Sequence, residues 1–202
     1  DRSGFRITLA GPPDSAESIS GRNSALVNVL GFCPQSPDWK VDWDALDAAY
    51  PWIRAMKGCA QDPVWHAEGD VWIHTRMVLE AMAGASAWQA MDSGTRLILF
   101  TAPVLHDVAK PACSRIEDGR IRSRGHSARG AIMARRILWE MDVPFSIREA
   151  VCGLIRHHQL PYYELKDRGV ILSSSQAART DWLCELARAD VIIRPRVASI
   201  GP

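Results

Sequence analysis

Six histidines stand at positions 66, 74, 106, 126, 157 and 158, some of them beside strongly apolar sequence. His74 shares a face with Val71, Val78, Ala81 and Met82. His106-Asp107 follows Val104-Leu105, His126 opens an amphipathic segment, His157-His158 closes another, and Asp190 falls near the end of the last. Imidazole suits first-row transition metals, and carboxylate oxygen suits harder cations. A carboxylate in an apolar interior is costly without a cation beside it, so Asp107 and Asp190 call for positive partners or a metal. Ligands sent inward from several helices are one way to build such a centre. Each histidine taken singly is better explained as a hydrogen-bonded core residue than as a ligand, and His66 is read that way.

The elements that must position these residues follow from period and punctuation. Asp42 or Asp44 caps a helix through Ala49, and Pro51 opens another to Lys57 that Gly58 ends. Apolar residues at helical spacing predict a helix over 71–83, with Asp70 either as its cap or as a partner orienting His74 one turn on. Asp92 or Ser93 caps a helix predicted to reach about Ala109. Ser114 to Arg124 reads as a hairpin turning at Glu117-Asp118-Gly119-Arg120. Further helices are predicted from His126 to Met141, from Pro144 to about His158, and from Ser173–Ser175 to a point before Pro195. The fold class is therefore all-α, a helical bundle with a small inserted β-hairpin. Residues 1–40 are expected to be an irregular arm, 41–193 the helical module, and 194–202 a tail or truncated linker. Ile7 to Ser15 resembles a strand running into a phosphate loop but lacks the Gly-Lys-Ser/Thr ending, so it is read as an irregular leader. Trp72, Trp139 and Trp182 are expected in the core. Trp39, Trp43, Trp52 and Trp65 are expected to pack amino-terminal segments onto the module rather than to stack bases.

Composition bounds the function classes. At 47% hydrophobic and 23% charged, the 202 residues match a globular protein and exclude a disordered or fibrous one. No apolar run approaches the ~20 residues of a membrane helix, so no membrane role is expected, and no secretory leader is visible. Five scattered cysteines without a C-x-x-C pair suggest reduced thiols and a cytoplasmic location. Basic residues gather in the second half, with eight between Lys110 and Arg136 against Glu117 and Asp118. Such a field favours an anionic ligand.

The order His74, His106-Asp107, His126, His157-His158, Asp190 resembles the HD superfamily of metal-dependent phosphohydrolases. His74, His106, Asp107 and Asp190 match its minimal pattern, and His126 with His157 and His158 match the extended pattern of two-metal members. Glu68-Gly69-Asp70 ahead of His74, Leu105 to Pro111, and Gly125-His126-Ser127 fit as well. These words resemble the HD region of bacterial CCA-adding tRNA nucleotidyltransferases. The hairpin and Arg156 to Pro161 are closer to the HD module joined to a polynucleotide kinase in bacterial RNA-repair-like proteins. The resemblance covers about residues 60–193.

It implies one or two divalent metals per chain, with Mn, Mg, Fe, Co, Ni and Zn not distinguished. Asp107 would bridge them, His74, His106 and Asp190 completing one shell and His126, His157 and His158 the other. Asp107 and Lys110 are the implied catalytic residues. Lys110 lies near substrate phosphate in the family, although a helix-end cation explains it equally well. Arg122, Arg124 and Arg129 are candidate phosphate contacts. The implied activity releases phosphate from, or opens a cyclic phosphate of, a nucleotide or RNA end, with a kinase domain or subunit as a partner absent from this sequence. Two alternatives use the same ligands: a di-iron oxygenase, and a non-catalytic metal-containing nucleic-acid-binding module.

Overall fold

A computed structural model describes residues 29–162 and 168–192. The segment at 7–15 and the expected tail lie outside the described residues. Among the described residues the chain is all-α apart from one hairpin.

Helix α1 (Trp43–Ala49) is capped by Asp42, whose Oδ1 accepts the Ala45 N–H at 3.0 Å. Pro51 starts α2 (Pro51–Met56), and Gly58, at φ 74°, turns the chain away. Asp70 caps α3 (Val71–Ala83): one oxygen accepts the Ile73 N–H at 2.8 Å, the other the Gly58 N–H at 2.7 Å. One side chain thus ties the exit of α2 to the start of α3. After the single turn of α4 (Ser86–Gln89), Asp92 caps α5 (Ser93–Leu105), buried from Ile98 to its end.

Helix α5 stops at Leu105 rather than near Ala109. Val108 N–H bonds Leu105 O and Lys110 N–H bonds Asp107 O, each a three-residue step, which tightens the backbone into turns. Pro111 has no N–H to carry an α-helical ladder across this stretch. The short α6 (Lys110–Cys113) follows.

Strands β1 (Arg115–Glu117) and β2 (Arg120–Arg122) pair antiparallel across Asp118 and Gly119, at φ 51° and 74°. Two positive φ values match the turn that suits strand twist. Gly125, also left-handed, leads into α7 (His126–Glu140), and α8 (Phe145–His157) follows.

The predicted final helix is two, α9 (Arg168–Ala177) and α10 (Thr180–Ile192). Ser173, Ser174 and Ser175 do not cap a helix. Each hydroxyl donates to the carbonyl three residues back, inside α9. Helical serine satisfies itself in this way, so the serine run misplaced the boundary.

Helices α3, α5, α8 and α10 pack on one another, and α7 lies along α8. Two glycines set the spacing. A Cβ on Gly130 would sit 3.3 Å from Ile155, close to the His106 carbonyl, and one on Gly153 would sit 2.1 Å from the Ala177 carbonyl oxygen. Val29 and Cys33 are buried in the same core, so packing onto the module begins ahead of residue 41. Trp139 is corrected: it is 65% exposed on α7 rather than in the core. Among the described residues, no helix is long and apolar enough to cross a membrane.

Candidate metal centre

The turn after α5 aims His106 and Asp107 into the interior. Helix α3 brings His74, the start of α7 brings His126, the end of α8 brings His158, and α10 brings Asp190. All six are buried. Their donor atoms fall into two groups, His74 with His106 and Asp190, and Asp107 with His126 and His158. Asp107 joins the groups. Its Oδ2 lies 3.2 Å from His106 Nε2 and 3.9 Å from His74 Nε2. Its Oδ1 lies 3.2 Å from His126 Nε2 and 4.0 Å from His158 Nε2. His74 Nε2 is 3.0 Å from Asp190 Oδ1.

The other ring nitrogens show how the imidazoles are held. His106 Nδ1 donates to Pro103 O at 2.6 Å, His126 Nδ1 to Ser123 O at 2.7 Å, and His158 Nδ1 to Ile155 O at 2.8 Å. A carbonyl only accepts, so Nδ1 carries the hydrogen and Nε2 turns a lone pair inward. Such outer contacts fix the tautomer of metal-ligating histidine. His126 Nε2 and His158 Nε2 face each other at 3.4 Å. His106 Nε2 and Asp107 Oδ1 are buried without a hydrogen-bond partner among the described residues. Lone pairs converging on carboxylate oxygens are relieved by a cation between them, so the donor set fits divalent metal.

Charge in the metal-free centre follows the same geometry. Burial acts to raise the Asp107 pKa, but neighbouring His106 and Lys110 hold it well below the usual carboxylate range. Burial, with His106 adding, pushes His158 down to about 3. Burial opposes protonation of His74, yet hydrogen bonds to Asp190 and Glu68 raise its pKa.

Glu68 was not singled out as a site residue. Its Oε1 accepts from His74 Nδ1 at 2.7 Å and from His66 Nδ1 at 2.9 Å. Burial opposes ionisation, but those bonds hold the carboxyl down at about 2. It lies ahead of α3, where helical periodicity carries no signal. Asp70 is the helix cap, and Glu68 orients His74. His66 stands edge-on to His74, ring centroids 4.7 Å apart, in the wall of the cleft above.

Two expected residues stay outside. His157 is half-buried and belongs to neither donor group. Adjacent helix positions diverge by roughly 100°, and His158 takes the inward one. Arg129 is exposed on α7 and does not line the cleft.

The cleft, about 490 Å³, opens over Asp107, His126, His158 and Asp190. Lys110 Nζ is buried between Asp107 Oδ2 at 2.7 Å and Gln61 Oε1 at 2.6 Å, so it is no exposed helix-end cation. Arg122 and Arg124 lie on the hairpin wall beside Arg120, which pairs with Asp62 at 2.6 Å. Tyr162 donates to the Asp190 carboxylate from the third side. Arg120 stands in the turn that marks the hairpin, whereas Gln61 and Tyr162 belong to no motif.

Comparison with known proteins agrees with this construction. The family model described as HD domain matches residues 71–190. The CC-adding tRNA nucleotidyltransferase of Thermus thermophilus is 42% identical over 110 residues, 54% of this chain and 24% of that protein. The multifunctional CCA proteins of Halorhodospira halophila and Psychromonas ingrahamii are 31% and 28% identical over 124 and 119 residues, 61% and 59% of this chain. They are covered over 28% and 27% of their own lengths, so the chain spans about a quarter of these relatives. No solved structure matches it significantly. With the family match running from the first residue of α3 to Asp190, across all six residues of the buried centre, this chain belongs to the HD-domain family.

Proposed function

We propose that the chain is a metal-dependent phosphohydrolase, releasing phosphate from, or opening a cyclic phosphate of, a nucleotide or RNA end. The observation that carries this reading is the split of Asp107. Its two oxygens address separate buried donor groups at the floor of an arginine-walled cleft. The Thermus thermophilus relative, whose name gives tRNA as substrate, supports an RNA end. In this reading His74, His106, Asp107 and Asp190 hold one metal, and Asp107, His126 and His158 hold the second. When bound, the pair supplies an activated water and a clamp on the phosphoryl oxygens.

The chain supplies the rest. Glu68 fixes the orientation of His74, and backbone carbonyls fix the other three imidazoles. Lys110 presents its ammonium at the floor beside Asp107, where it would neutralise a phosphoryl oxygen. Arg122 and Arg124, whose Nε atoms face Glu117 at 3.8 and 2.7 Å, offer their remaining guanidinium donors, a fork that suits phosphate, while Arg120 is committed to Asp62. Preorganised charge of this kind stabilises the charge that develops during transfer.

The test is phosphate release from nucleoside monophosphates, 2′,3′-cyclic nucleotides and RNA ends, across manganese, magnesium, cobalt, nickel, zinc and iron. We expect turnover with at least one metal and its loss in His106→Ala and Asp107→Ala. Activity that is absent with every metal, or unchanged in both variants, rejects the reading. Oxygen consumption by a reduced two-iron form would replace it with the oxygenase.

A further inference from the structure

We propose that Trp65 is the stacking platform for the base of the substrate, so that the cleft selects a nucleoside phosphate over a base-free sugar phosphate. The inference rests on reading the cleft as a phosphohydrolase site and names what that site recognises beyond phosphate.

Trp65 differs from the other tryptophans. Trp39 stands edge-on to Trp88 at 5.7 Å and Trp43 edge-on to Trp72 at 6.2 Å. Trp52 stacks on Tyr50 at 4.9 Å, and Arg179 covers Trp182 at 4.3 Å. Trp39, Trp43, Trp52 and Trp182 also pack against the buried core. Trp139 is exposed but lies outside the cleft. Trp65 lines the cleft, is 52% exposed, and has no ring or cation stacked on it among the described residues. An indole left bare inside a polar cleft suits a ligand with its own π-face.

Its backbone is held in place. Asp62 O accepts the N–H of Trp65 at 3.0 Å and of His66 at 2.9 Å, and Asp62 Oδ1 accepts the Val64 N–H at 3.1 Å. The same Asp62 carboxylate takes two bonds from Arg120, at 2.6 and 2.9 Å, across to the hairpin. The Trp65 wall and the arginine wall are therefore fastened to each other. The residue after Trp65 is His66, already edge-on to the ligand His74. One step of chain, ~3.8 Å between Cα atoms, separates the wall of the centre from the platform. Trp65 lines the same cleft as the floor residues Asp107, His126 and His158, and its volume of about 490 Å³ is within the range of about 300–1,000 Å³ that small-molecule sites occupy, room for a phosphate at the floor and its nucleoside beside the indole.

Stacking on an aromatic side chain changes affinity by roughly five- to a hundredfold and tolerates any base. The test compares substrates sharing one reacting group: a nucleoside 2′,3′-cyclic phosphate and the base-free ribose cyclic phosphate. Trp65→Ala is expected to lower kcat/KM for the first by about tenfold and to leave the second unchanged, while Trp65→Phe retains most of the activity. Equal losses on both, or none on either, overturn the proposal. If no substrate is hydrolysed, the phosphohydrolase reading falls, and the platform is judged separately by NMR of the full chain with magnesium. The indole N–H signal that disappears in Trp65→Phe should shift with AMP and stay in place with ribose 5-phosphate. The same response to both ligands, or to neither, rejects it.

Discussion

Asp107 joins the two donor groups, so its loss should empty both together. Asp107→Ala is expected to reduce bound transition metal to background in elemental analysis. His126→Ala, which touches only one group, should retain about half of a two-metal content. Equal retention in the two variants would contradict a bridging carboxylate. Glu68 acts one shell further out, through His74 Nδ1. Removing such a partner weakens metal affinity by about 10–100-fold, and Glu68→Gln should do so with little change in melting temperature. A melting loss without an affinity loss would make Glu68 a packing residue only. The six residues that assemble into the donor groups were legible because metal chemistry uses few residue types and their order along the chain resembles that of the HD family. Glu68, Gln61 and Tyr162 were not, since they lie outside the periodic stretches and act by reach. His157 misled because a pair of adjacent histidines carries no sign of which one faces inward.

At the scale of elements, the legible features were those with local causes: Asp42, Asp70 and Asp92 as caps, Pro51 at a helix start, Asp118-Gly119 as a turn. What escaped was set by tertiary contact. The break between α9 and α10 falls where Ala177 meets Gly153 of α8, and no local residue announces that meeting. Gly153→Ala would drive a methyl into a backbone oxygen. It should destabilise by about 1–3 kcal/mol, as overpacking does, measured by urea denaturation. A neutral result would mean that α9 is free to back away. Asp70→Ala removes a cap and the Gly58 bond together, and about 1–2 kcal/mol is expected.

For the molecule as a whole, the buried imidazoles make acid a denaturant of the metal-free protein. Burial lowers His66 to about 4, with the Lys110 and His74 charges adding, and lowers His158 to about 3, from an ordinary 6.5. Below pH 6.5 the unfolded chain binds protons that the folded chain refuses, so stability falls as pH drops from 6.5 toward 4. His74 has the opposite shift: its contribution is complete below pH 6.5 and is lost as pH rises through its raised value. The urea midpoint in chelator should therefore be higher at pH 6.5 than at 4.5, and a flat profile would count against neutral buried imidazoles. Saturating metal should raise the melting temperature of the whole transition, since ligand that binds only the folded state stabilises by mass action.

The donor groups also bring together residues made at different times. His74 and Asp190 touch at 3.0 Å across most of the family-matched span. A ribosome adding ~5–20 residues per second makes the first of them many seconds before the last. Until α10 emerges, His74 and His106 are an incomplete chelate with poor hold on any cation. A metal held by His74, His106 and Asp190 would therefore be captured only after α10 is made, whereas the group of Asp107, His126 and His158 is complete by the end of α8.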